Sequence, residues 1–263
     1  MNQTIEILRK RKSVREYENR EVSAEVRAEI LNATLRAPTA GNLTLYSILD
    51  VTDQSLKDKL VTTCDSQPFI ATAPMVWIFL ADYQRWYDYF HVSGVEELCA
   101  QKGIPMLKPQ EGDLFLACCD ALIAAQTAVV AAEALGLGSC YIGDIIENYE
   151  THRDIFNLPP YAFPIGMVVF GYPTQTQKER IQTPRFDQKF IVFENQYHSL
   201  DRDEFNEMFF ERQKLISKNK IAEGINTFGK ATYLRKFSAE YSAEIRRSVR
   251  EMLKAWKNRR SVF

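Results

Sequence analysis

Apolar residues along this chain alternate between helical spacing and dense runs, and the switches mark out its elements. Ile5, Leu8 and, further on, Val14 begin an amphipathic helix that gives way to a turn over residues 13–17. A second helix opens at Ser23, with Glu25 and Glu29 near its positive end and Val26, Ile30, Leu31 and Leu35 along one face. Pro38 stops it. Residues 37–42 (APTAGN) then read as a loop of small residues, and 46–51 as a strand. A helix over 54–63 and a strand over 75–82 follow. The strand, MVWIFLAD, is almost continuously apolar, as expected when both faces are covered.

The pattern then fails. Residues 83–113 are rich in aromatics and charge, and read as an excursion from the core: a lid or pocket wall, or equally a packed cap. Residues 113–135 form a helix apolar nearly all round, which must be enclosed on several sides, by its own domain or by a second copy of the chain. Asp120, Gln126 and Glu133 within it favour burial over a membrane span. The chain then turns through GLGSCYIGD into a short helix near 149–156. A core strand is expected over 163–170, and 190–193 is a further strand candidate. Beyond residue 201 the composition is charged, with helices expected over 203–217 and 239–257. We read residues 1–200 as a core carrying the 83–113 excursion, and 201–263 as a helical extension packing on the core or on a partner subunit.

At 263 residues and 46% hydrophobic, the chain can bury a full core. Its net charge of -1, with both signs interspersed, gives no basis for nucleic-acid binding. The five cysteines (64, 99, 118, 119 and 140) are odd in number and form no CxxC pair, so they encode neither a disulfide framework nor a zinc site. They suit a reduced, cytoplasmic setting, and the N-terminal residues show no secretory h-region. Three histidines, without GxSxG or HExxH, support neither a serine hydrolase nor a zinc enzyme. Gly136, Gly138 and Gly143 do not match GxGxxG, and no Walker spacing is present. An enzyme with this inventory needs a cofactor to carry its chemistry.

Two cationic stations stand out: RKRKSVREY, from Arg9 to Tyr17, and TPRF around Arg185. Arg11, Lys12 and Arg15 offer charge-assisted donors sized for one small anion such as a phosphate. A solvated basic helix face is the plainer alternative.

The order of segments resembles the FMN-dependent nitroreductase family. RKRKSVREYENREVSAEVRAEILNATLRAPTAGN is similar to the family's opening, and GLGSCYIGDIIEN and GYP…TPRF follow in their usual places. The likeness runs from about residue 5 to 197, and the tail more weakly resembles the larger, NADPH-preferring bacterial branch. It implies an α+β sandwich with a mostly antiparallel sheet flanked by helices, assembled as an intertwined homodimer with FMN at each subunit boundary. By position, it assigns Arg11, Lys12, Ser13 and Arg15 to the phosphate and ribityl chain, with Arg185 as a distal phosphate ligand. Pro38, Thr39, Ala40, Gly41 and Asn42 become the loop that a partner subunit lays against the flavin. Gln67 becomes an amide for the pyrimidine edge, and Tyr141, Ile142, Gly143 and Asp144 line the other edge. Two positions depart from the pattern. Thr183 stands where a lysine is usual, with Lys178 and Arg180 as substitutes, and Asp144 stands where a second small residue is common.

The resemblance implies a ping-pong oxidoreductase that takes hydride from NADPH or NADH and reduces nitroaromatic, quinone, azo or flavin acceptors. Arg212, Lys218, Lys220 and Arg235 are candidate cations for the NADPH 2′-phosphate. A reductase dedicated to one acceptor and a flavin-binding protein with little turnover are the alternatives. No membrane or nucleic-acid partner is expected.

Overall fold

A computed structural model of the chain describes residues 2–218 and 224–258. Lys220 lies outside the described residues, as does the side chain of Lys218. The chain divides into two compact units, residues 1–180 with 244–263, and residues 181–243.

The first unit is an α+β sandwich. Its sheet contains β1 (Tyr46–Asp50), β2 (Met75–Asp82), β3 (Gly138–Ile142) and β4 (Ala162–Gly171). The strand order is β1-β2-β4-β3, and every pairing is antiparallel. Around it lie α1 (Gln3–Lys10), α2 (Ala24–Thr34), α3 (Gln54–Thr63), α4 (Phe69–Thr72), α5 (Gln84–Val92), α6 (Val95–Lys102), α7 (Glu111–Ala134), α8 (Tyr149–Ile155) and α9 (Gln175–Glu179). The second unit holds α10 (Arg202–Lys218) and α11 (Phe228–Thr232), and α12 (Glu240–Asn258) crosses from it back into the first. Within the second unit, the Phe186 and Phe209 rings meet at 5.0 Å, and the Arg212 guanidinium lies 3.7 Å over Phe186.

The unbroken apolar run of β2 is explained by its two covers. Met75, Trp77 and Phe79 point to one side and join Ala121, Ala124, Ala125, Ala128 and Ala132 of α7. Val76, Ile78 and Leu80 point to the other and join Leu60, Ile70 and Ile145. Alanine on the buried stripe of α7 leaves little side chain between helix and sheet, so the two approach closely. The opposite stripe is apolar as well, with Phe115 71% and Leu122 44% exposed beside Leu116 and Ile123. By length and composition α7 would suffice to cross a membrane; here its alanine stripe is buried against the sheet.

The 83–113 excursion is partly absorbed into a third cluster. Tyr87 packs on Tyr161 at 5.1 Å, and the Trp86 indole N–H donates to the Leu43 carbonyl at 2.7 Å. Trp256 of α12 completes that cluster, its N–H donating to the Gln110 carbonyl at 3.0 Å.

Three local expectations need correction. Val14 is not a helical residue: α1 ends at Lys10, and residues 13–14 run extended along β3. GLGSCYIGD contains strand β3 as well as turns. Its glycines read as punctuation, but a Cβ at Gly138 would overlap Val14, so that glycine marks a close approach inside a strand. Residues 190–193 form no strand: Gln188–Phe190 is a 3₁₀ turn, and Ile191 and Val192 are exposed with no sheet to bury them.

Gly171, at the end of β4, is equally crowded, because an added Cβ would lie 2.6 Å from the Tyr17 ring and 2.8 Å from Pro74. Gly171→Ala is expected to destabilise the protein by about 1–3 kcal/mol, seen as a lower urea midpoint with unchanged slope.

Candidate functional site

The free edge of β3 gathers the first cationic station. Ser13 pairs with Ser139, the Val14 N–H donates to the Ser139 carbonyl at 2.8 Å, and the Glu18 N–H donates to the Tyr172 carbonyl at 2.8 Å. The Lys12 ammonium donates to the carbonyl of Lys178 at 2.7 Å and to that of Arg180. The Arg180 guanidinium in turn donates to the Ser13 carbonyl. Of the two substitutes named for the missing lysine at position 183, Arg180 thus stands directly at the station. The Arg15 guanidinium is exposed, 5.8 Å over the Phe69 ring, and makes no ion pair among the described residues. Burial pushes the Cys140 thiol up in pKa, while Arg15, Arg11 and Arg180 pull it back, so three guanidiniums share one neighbourhood.

β3 delivers Tyr141 and Ile142 to the same region, and Gly143–Ile146 continues as a 3₁₀ turn. His152 anchors the turn: its Nδ1–H donates to the Ile145 carbonyl at 2.9 Å, and its Nε2 lies 2.8 Å from the Thr63 hydroxyl. Burial keeps that imidazole neutral, so it is a satisfied core histidine. A Cβ added to Gly143 would meet nothing within 4 Å, so the space beside this backbone is open. Gln67 reaches the turn, its Nε2 donating to Asp144 Oδ2 at 2.8 Å and to the Cys64 carbonyl at 3.0 Å.

Two carboxyl groups in this region hold protons unusually well. Glu147 is 5% exposed and its Oε1 has no hydrogen-bond partner. Burial first, then the charge of and hydrogen bond to Asp144, and then Asp65 and Glu244, push it up to about 8. Glu133, at the end of α7, is pushed up to about 7 by burial, opposed by Arg11 and a hydrogen bond from Ser139. Glu147 was not singled out from the sequence, and Glu133 only as a charge that speaks against a membrane span. Nothing in the string GDIIEN separates a buried glutamate from an exposed one.

The remaining predicted residues lie elsewhere. Residues 38–42 lead into β1, Ala40–Asn42 as a 3₁₀ turn, at the opposite edge of the sheet from β3. That loop hangs on Asp120, which is buried and accepts from the Ala40 N–H at 2.9 Å and the Leu45 N–H at 3.0 Å. Asp120 and Glu133 are thirteen residues apart on α7, about 20 Å along the helix. The loop and the cationic station are thus two separate places in one chain. Arg185 belongs to the second unit, where its guanidinium donates to the Thr183 carbonyl at 3.3 Å. A cleft of about 700 Å³ lined by Tyr17, Arg20, Arg27, Lys57 and Pro74 contains none of the predicted site residues.

This geometry defines a class: an α+β sandwich with a cationic cradle on a sheet edge beside an open backbone turn, suited to a phosphorylated, planar cofactor. The Nitroreductase family model matches residues 8–172, and the chain belongs to that family. It is 30% identical over 201 residues to the oxygen-insensitive NADPH nitroreductase of Salmonella typhimurium, covering 76% of this chain and 77% of that one. Over 253 residues it is 28% identical to an FMN reductase [NAD(P)H] of Bacillus subtilis, covering 96% of each. The crystal structure of nitroreductase A from Vibrio parahaemolyticus superposes with a TM-score of 0.79 at 22% identity, covering 97% of this chain and 98% of that one.

In the unfolded chain Glu147 would titrate near the ordinary ~4.3, whereas in the folded protein it keeps its proton to about 8. The stability this confers is complete below about pH 4 and is lost as pH rises through 8. Glu147→Gln is therefore expected to melt with a shallower pH dependence between pH 5 and 8, and to gain most on the wild type above pH 8. Glu133→Gln should flatten the curve only up to about pH 7.

Proposed function

We infer that this chain is an FMN-dependent NAD(P)H oxidoreductase acting on small-molecule acceptors: nitroaromatics, quinones, azo compounds or free flavin. The observation that carries the reading is the meeting of the 11–15 station, Gln67 and the open-backed Gly143 at one sheet edge in a member of the Nitroreductase family. FMN, when bound, supplies the redox chemistry, accepting hydride from NADPH or NADH and passing the electrons to the acceptor in a ping-pong cycle.

The residues fit that cofactor. A phosphate dianion needs several donors. Arg15 makes no ion pair among the described residues, Arg11 acts in the same field, and Lys12 keeps one N–H beyond the two given to carbonyls. Ser13 is fixed by its bridge to Ser139, and Arg185 is the proposed distal phosphate ligand. The open space at Gly143 lets a planar ring approach the backbone of Tyr141, Ile142, Gly143 and Asp144, where an N–H can stabilise added electron density. No side chain is needed as a nucleophile.

The assembly is a homodimer in this reading. The exposed apolar stripe of α7 is too extensive for a solvated helix face. In this reading a second copy sits on that stripe, and the 38–42 loop of one subunit lies against the flavin of the other, as the family resemblance implies. Residues 201–263 serve as a helical extension on the core or the partner. The five cysteines are all unpaired, in keeping with a reducing, cytoplasmic setting.

Purified protein is expected to show oxidised-flavin absorbance that bleaches on anaerobic NADPH and returns with a quinone or nitroaromatic; a colourless protein that FMN cannot reconstitute would overturn the reading. Arg15→Ala, and likewise Arg185→Ala, should weaken FMN retention about 10- to 100-fold, measured by fluorescence after dialysis. Ile123→Glu, on the exposed stripe of α7, is expected to convert the dimer to monomer in gel filtration and to release FMN with it.

A further inference from the structure

Gln67 is locked in one orientation. Its Nε2 donates to the Cys64 carbonyl and to Asp144 Oδ2, at 3.0 and 2.8 Å. A peptide carbonyl has no proton to give, so turning the amide over would set its oxygen against the Cys64 oxygen. Both amide hydrogens are thereby committed, and Oε1 is left without a hydrogen-bond partner among the described residues. Gln67 can meet a ligand only as an acceptor.

Asp144 supplies the stronger of the two ties, because a carboxylate accepts a shorter, charge-assisted bond. Without Asp144, Gln67 would keep one neutral bond to Cys64 and could turn.

Oxidised isoalloxazine presents acceptors at N1, O2, O4 and N5 and a single N–H donor, at N3. A glutamine free to turn can answer any of these atoms with one end or the other. One locked as an acceptor matches N3–H alone. We propose that Asp144 is a positioning residue that fixes Gln67 as a hydrogen-bond acceptor for the flavin, so that this site selects a flavin carrying a proton at N3. The assignment rests on the FMN reading above. It deepens that reading by giving the acid that replaces a small residue at position 144 a role in cofactor recognition.

The test is fluorescence titration of the flavin-stripped protein with FMN and with 3-methyl-FMN, in which N3–H is replaced by a methyl group. The wild type should bind FMN at least about tenfold more tightly than 3-methyl-FMN. Asp144→Ala should still bind FMN but discriminate by no more than about threefold. Gln67→Met, of similar length and without an amide, should lose discrimination equally. Asp144→Asn keeps the size of the side chain and exchanges a charge-assisted bond for a neutral one, so it should fall between, and it carries the test if Asp144→Ala does not fold. Discrimination as large in the Asp144 variants as in the wild type, or absent from the wild type, overturns the proposal while leaving flavin binding intact. Failure of the wild type to bind either flavin strikes the FMN reading itself.

Discussion

The close seating of α7 on the sheet is the constraint from which the other features descend. Alanine at positions 121, 124, 125, 128 and 132 lets the helix lie near Trp77 and Phe79 of β2, and this fixes where its other side chains reach. Near its middle Asp120 receives two backbone N–H groups from the loop before β1; at its end Glu133 lies beside Ser139 and within the field of Arg11. One helix therefore sets the spacing between the loop and the cationic cradle. Because its outward stripe is also apolar, the same helix that builds the monomer offers the surface for building something larger.

Charge around the cradle is arranged by burial as much as by pairing. Arg11, Arg15 and Arg180 are gathered at the edge of β3, where no carboxylate among the described residues pairs with Arg15. Half-buried Glu133 and buried Glu147 hold their protons towards neutral pH. Asp144 is the acid left to act on Gln67.

Much of this was legible in the sequence where one physical signal dominated. The dense apolar run of 75–82 read as a doubly covered strand, and Ser23 announced a helix by its capping oxygen, which accepts from the N–H of Val26. The 11–15 station was visible as charge, and Gln67 and Asp144 by resemblance. Where two signals competed, reading failed. Glycines at 136, 138 and 143 masked β3, because a glycine demanded by a neighbour's side chain looks the same as one demanded by a turn. FIVF looked like a strand because β propensity says nothing of whether a partner is at hand. The tie between Gln67 and Asp144 depends on residues 77 positions apart being brought together, the protonation of Glu147 on burial and on the approach of Asp65 and Glu244, and no local pattern encodes either.

The first unit is discontinuous in the chain, and this bears on how the protein is made. Its aromatic cluster of Tyr87, Tyr161 and Phe163 is closed by Trp256, 5.2 Å from both Tyr161 and Phe163. On the ribosome, residues 1–180 emerge with that cluster open and must wait through the whole of 181–243 before the closing tryptophan arrives. During that interval a nascent chain displays a patch of aromatic surface that the finished protein hides, the kind of surface that chaperones hold and that unfinished chains use to aggregate. Closure then joins residues about a hundred positions apart, a long-range contact of the sort that folds late and slowly.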